Sequence, residues 1–198
     1  YICGRLMEFG NPPALSDHVA DDPYVMAEAI RASARTADFI ITTGGVSVGE
    51  KDIMHETVEL LGAEKLFWKV RIKPGSPTLA FQYKGVPVLC LSGNPFGAIV
   101  NFELLARPVL EKLSGQEKWK LLPGEAVLMN DYKKPAGARR FLRGYVERGK
   151  VMVNGKNQAS GAIASMAECN CLVEITPRMP GARAGGKVTV YGLCPRNF

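Results

Sequence analysis

The chain has 198 residues, 46% of them hydrophobic and 22% charged, with a formal net charge of +6. That is the composition of an ordinary globular protein, long enough for one large or two small domains. No apolar run approaches the ~20 residues that a membrane-spanning helix needs, and no signal peptide is expected.

Tyr1 to Phe9 reads as the tail of a helix, stopped by Gly10-Asn11-Pro12-Pro13. With no initiating methionine ahead of it, this start is expected to be that of a piece of a longer protein. Ala14 to Val19 is a candidate strand. Asp22 and Pro23 suit the cap and first position of a helix running through Met26, Ala27, Ile30 and Ala34. Residues 38–43 read as a buried strand, 53–61 as a helix closed by Gly62, and Glu64 to Ile72 as a strand. Thr78 to Tyr83 and Val86 to Leu91 flank a Lys84-Gly85 turn, and a long apolar helix follows from Phe96 to Leu113. Helices alternating with short strands predict an α/β domain with a mostly parallel sheet, over residues 1–116. From 117 to 198 the texture changes to short alternating stretches punctuated by glycine and proline. This predicts a small all-β, barrel-like domain.

Charge divides the same way. Residues 1–118 hold 12 lysines and arginines against 14 acidic residues; residues 119–198 hold 13 against 5. The basic half carries no helical basic stripe and no aromatic RNA-binding motif, so an anionic metabolite is expected rather than nucleic acid. Cys3, Cys90, Cys169, Cys171 and Cys194 are odd in number and irregularly spaced. Cys169 and Cys171 stand too close for the usual zinc pair, so buried thiols in a reducing cytoplasm are expected.

Three turns carry the chemistry. The first, Thr42 to Asp52, lies between a strand and a helix and contains Thr43, Gly44, Gly45, Ser47, Gly49, Glu50 and Asp52. Such a turn brings backbone N–H groups to bear on an anion. Its spacing fits neither a P-loop nor a dinucleotide fingerprint. An acidic pair beside an anion suits a divalent cation bridging carboxylate and phosphate; Asp52 equally suits a helix cap. In the second, Lys69, Arg71 and Lys73 alternate with Val70 and Ile72, which on a strand puts three cations on one face, and Pro74-Gly75 ends the strand. The third, Ser92-Gly93-Asn94-Pro95, suits a capped helix start. All three follow strands, so in a parallel sheet they meet at one rim.

Thr43 to Asp52, Phe67 to Gly75 and Ser92 to Pro95 together resemble the MoeA family, the molybdopterin molybdenumtransferases related to the C-terminal domain of gephyrin. The resemblance covers residues 1 to about 113, and the β-rich tail is similar to the family's final domain. It implies a three-layer molybdopterin-binding domain followed by the small barrel. It implies insertion of molybdate into adenylylated molybdopterin with release of AMP, aided by Mg2+ at Asp52. Asp52, Lys69 and Lys73 take catalytic roles in this reading. Thr43, Gly44, Gly45, Ser47, Gly49, Glu50, Pro74, Gly75, Ser92, Gly93, Asn94 and Pro95 line the pterin site. A cytoplasmic homodimer is implied, with an adenylyltransferase of the MogA type as a further partner. Ser76 stands where the family often has lysine, and Ser92 where it often has proline. Because family members carry additional N-terminal domains, this chain alone is expected to bind ligand weakly and not to turn over. A MogA- or CinA-like pterin-binding protein and a non-enzymatic scaffold module are the alternatives. The β-rich tail argues for MoeA over the former.

Overall fold

The computed structural model describes residues 1–46, 52–154, 166–177 and 181–193. Contacts divide the chain into two units. The first comprises Tyr1–Val70, Gly75–Gly93 and Gly97–Lys120; the second comprises Arg71–Pro74, Asn94–Phe96 and the chain from Leu121 on.

The first unit is a four-stranded sheet between two helical layers. Strands β1 (Ile40–Thr43), β5 (Val86–Leu91), β4 (Leu79–Tyr83) and β2 (Glu64–Trp68) lie in that order. β1 runs parallel to β5, in register from Ile40 opposite Val88 to Thr43 opposite Leu91. The β5–β4 and β4–β2 pairs are antiparallel, so β1, β5 and β2 run in one direction, as expected of a mostly parallel sheet, and β4 alone is reversed. The physical reason is the two-residue Lys84-Gly85 turn, both residues in the left-handed region, which folds β4 straight back on β5.

Alternation along the strands feeds two cores. Leu79, Phe81, Tyr83, Val88 and Cys90 face α2 (Pro23–Ser33) and α3 (Ile53–Leu61). Ala80, Leu89 and Leu91 face α1 (Ile2–Glu8) and a long helical stretch. α2 starts where Asp22 accepts hydrogen bonds from the N–H groups of Tyr24 and Val25. α3 ends at Gly62, in the left-handed conformation common past helix ends. The long stretch is α4 (Pro95–Asn101), a π-turn (Phe102–Ala106) and α5 (Arg107–Ser114). It is not apolar throughout: Asn101, Glu103 and Arg107 are buried in it. Glu103 accepts from Tyr1 Oη (2.6 Å), Arg5 Nε (3.0 Å) and Arg107 Nη1 (2.8 Å). Residues 14–19 form no strand.

The second unit is a closed barrel. β7 (Arg139–Glu147), β8 (Lys150–Val153), β6 (Pro123–Leu128), β10 (Lys187–Gly192) and β9 (Cys171–Ile175) pair in sequence, and β9 returns to β7. Closure removes the free sheet edges. Leu142, Val146, Val151, Val173 and Val190 fill the interior. A two-residue strand, β3 (Ile72–Lys73), pairs parallel with the start of β7. Among the described residues no helix is long and apolar enough to cross a membrane.

Candidate active site

The first and third turns meet because β1 and β5 are adjacent, parallel and end together. The N–H of Gly44 donates to the Leu91 carbonyl at 3.2 Å. A side chain on Gly93 would stand 3.3 Å from the Gly44 Cα, so the two backbones touch where only glycine leaves room. The second turn reaches the same rim through Gly75. Its carbonyl accepts from Asn101 Nδ2 (2.9 Å) and Thr78 Oγ1 (2.8 Å). A Cβ on Gly97 would lie 3.0 Å from Ser92 Oγ and 3.2 Å from Gly75 N. Gly75 itself has a φ of 98°, and a Cβ there would fall 2.4 Å from Asn101 Oδ1. Thr43 ends β1 exposed, Gly45 sits half-buried against Ile53, and Ser92 is buried. Ser47, Gly49 and Glu50 lie outside the described residues, as does Cys194.

Asp52 caps α3, with Oδ1 accepting from the Met54 N–H at 3.1 Å. Its Oδ2 lies 3.7 Å from Nε2 of His55, one turn on. The His55 ring stands edge-on to Trp68, centroids 4.5 Å apart at 88°. The ammonium of Lys69 sits 3.9 Å from the Trp68 ring centroid.

Lys69, Arg71 and Lys73 do not share a strand. β2 stops at Trp68, because Lys69 takes a left-handed backbone with φ of 67°. The loop then closes on itself, Lys69 N to Thr78 O (2.8 Å) and Val70 N to Ser76 O (3.1 Å). Lys73 belongs to the second unit, where β3 sets it opposite Arg140 of β7. Arg140 Nη1 donates to the Tyr132 hydroxyl at 3.1 Å. Pro74, half-buried, follows Lys73 through a cis peptide bond. Asn94 is half-buried in the second unit, Pro95 opens α4, and Phe96 lies under the buried Arg143 guanidinium, 3.8 Å away. Burial lowers the Arg143 pKa, against the opposing pull of Cys169.

His55, Trp68, Asn101 and Arg140 escaped the sequence reading. Asn101 left a signal, a lone amide inside an otherwise apolar helical run. The Asp52-x-x-His55 spacing left another, one helical turn. Trp68 and Arg140 left none.

The comparisons with known proteins cover both units. Residues 1–112 match the family described as "Probable molybdopterin binding domain", and residues 125–193 match "MoeA C-terminal region (domain IV)". The chain belongs to the MoeA family. It is 32% identical over 199 residues to the molybdopterin molybdenumtransferase of Bacillus subtilis, covering 99% of this chain and 46% of that protein. It is 34% identical over 175 residues to the enzyme of that name in Haemophilus influenzae, covering 86% and 43%. A molybdopterin biosynthesis MoeA protein from Pyrococcus horikoshii has a similar structure, with a TM-score of 0.81 at 27% identity over 96% of this chain and 46% of that one. The chain thus spans under half the length of these MoeA relatives. The α/β domain followed by a barrel is the MoeA order.

Proposed function

We propose that this chain supplies the pterin- and molybdate-handling part of a molybdopterin molybdenumtransferase, a cytoplasmic enzyme that inserts molybdate into adenylylated molybdopterin and releases AMP. The observation that carries the reading is the meeting of Gly44, Gly93 and Gly75 at one rim, within a chain of MoeA domain order. Backbone amides in tight glycine turns present N–H groups to an anion without side-chain interference. Lys69 and Lys73 supply positive charge to the phosphate and to molybdate as they enter. Asp52 suits a Mg2+ ion held by one carboxylate and by substrate phosphate oxygens. Its carboxylate is a hard oxygen donor, the ligand type that Mg2+ takes. Bound there, Mg2+ would neutralise phosphate charge. The chain's own residues bind and orient the substrates, and the remainder of the catalytic apparatus is assigned to the longer protein, a homodimer that receives its substrate from an adenylyltransferase of the MogA type.

Calorimetric titration of the chain with adenylylated molybdopterin tests this. Lys73→Ala is expected to weaken binding about tenfold, the size of one lost hydrogen bond to a charged group, and to flatten the salt dependence. Unchanged affinity and salt slope would refute the role of Lys73.

A further inference from the structure

We infer that His55 and Trp68 are positioning residues that keep Asp52 and Lys69 apart and fixed, so that each meets a ligand charge instead of the other. The inference rests on the reading that Asp52 and Lys69 serve the substrate site.

Four side chains form a row: the Asp52 carboxylate, the His55 imidazole, the Trp68 indole and the Lys69 ammonium, with successive separations of 3.7, 4.5 and 3.9 Å. The row draws on three segments, the cap of α3, the end of β2 and the loop after it, so local sequence does not enforce it. Oppositely charged groups on neighbouring segments ordinarily pair and neutralise each other. Here two rings stand between them. The indole face holds the ammonium through its quadrupole, which satisfies a cation without cancelling its charge. Lys69 makes no ion pair among the described residues, so an arriving oxyanion has no carboxylate to displace.

The backbone bears this out independently. Lys69 holds a left-handed φ of 67° although it carries a side chain, and its N–H is tied to the Thr78 carbonyl. Non-glycine residues adopt that conformation rarely, and such strain collects at functional positions. The turn aims the lysine back over the indole it follows. At the other end, His55 Nε2 is shielded from solvent and makes no hydrogen bond among the described residues, while facing Asp52 Oδ2. Asp52 Oδ1 accepts the Met54 N–H of the helix cap, and the imidazole stands against Oδ2.

The test uses the whole chain, labelled with nitrogen-15 and titrated with sodium molybdate, with and without Mg2+. The chain has two tryptophans and so gives two indole signals. Trp119 is fully buried, whereas Trp68 is partly exposed. Molybdate is expected to shift the Trp68 indole signal and leave that of Trp119 in place. Trp68→Leu and Trp68→Gln should each weaken molybdate binding about fivefold, read from backbone amide shifts, and Trp68→Phe should restore it. Making both replacements keeps the comparison if one fails to fold. His55→Ala should reduce the gain in affinity that Mg2+ brings, and His55→Gln should recover it. Asp52→Asn and Lys69→Met are the reference variants. If these two weaken binding while the Trp68 and His55 variants stay within twofold of the parent, the positioning role is overturned. If all leave binding unchanged, the reading of the site is overturned with it.

Discussion

The two oxygens of Asp52 can be separated by substitution. Oδ1 accepts the Met54 N–H and so stabilises the start of α3. Asparagine caps as well as aspartate, whereas alanine does not. Asp52→Ala should therefore cost about 1 kcal/mol of stability in urea unfolding, and Asp52→Asn little. Both should abolish any effect of Mg2+ on ligand binding. A loss confined to the alanine variant would leave Asp52 as a cap alone. The two capping aspartates, Asp22 and Asp52, were legible in the sequence because capping is local, a matter of one side chain and the next three amides. The backbone of Lys69 was not. A left-handed lysine carries no mark in the sequence, and alternation with Val70 and Ile72 made residues 64–72 read as one strand. The His55–Trp68 contact spans a helix and a strand, beyond the reach of any pattern.

Among the elements, the helical stretch from Pro95 to Ser114 differs most from its sequence expectation. Its π-turn carries Glu103, which is fully buried with two arginines and a tyrosine hydroxyl upon it. Burial alone would lower the Arg5 pKa, but Glu103 outweighs it and holds that guanidinium above its ordinary value; burial and Glu103 together push Tyr1 far up. Removing one member strands buried charge, so Glu103→Gln should cost about 3–5 kcal/mol in chemical denaturation. In the barrel, burial would raise Glu174, yet hydrogen bonds from Arg139 and Tyr191 prevail and hold it below its ordinary value of 4.5. A carboxylate depressed in the folded state stabilises it above the unfolded pKa, and that contribution fades as pH falls through the folded pKa. Below pH 4.5, then, the parent should lose stability more steeply than Glu174→Gln, as followed by thermal melts. Strands β4 and β5 were legible because alternation or an unbroken apolar run coincides with a partner on each side. Residues 14–19 had the composition of a strand but no neighbour to pair with, and pairing is what makes one.

At the scale of the whole molecule, the cysteines report on folding. Burial pushes the Cys90 thiol up to about 12, and the Cys171 thiol up to about 12 with help from Cys169. At pH 8 iodoacetamide should label the half-exposed Cys3 and spare Cys90 and Cys171, as peptide mass mapping would read. Labelling of all three in the native chain would contradict the described cores. The change of texture past residue 116 was visible because a barrel strand alternates while a layered α/β strand need not. That residues 71–74 and 94–96 group with the barrel could not be read, since nothing in composition marks such short pieces.

The alternate allegiance of the central strands limits how this gene can drift. Neighbouring residues of β4 and β5 belong to opposite cores, Leu79 to one and Ala80 to the other. Losing or gaining a single codon inside either strand would turn every following side chain inside out, exchanging large for small on both faces at once. Length variation is thus channelled to the Lys84-Gly85 tip, where no core keeps count.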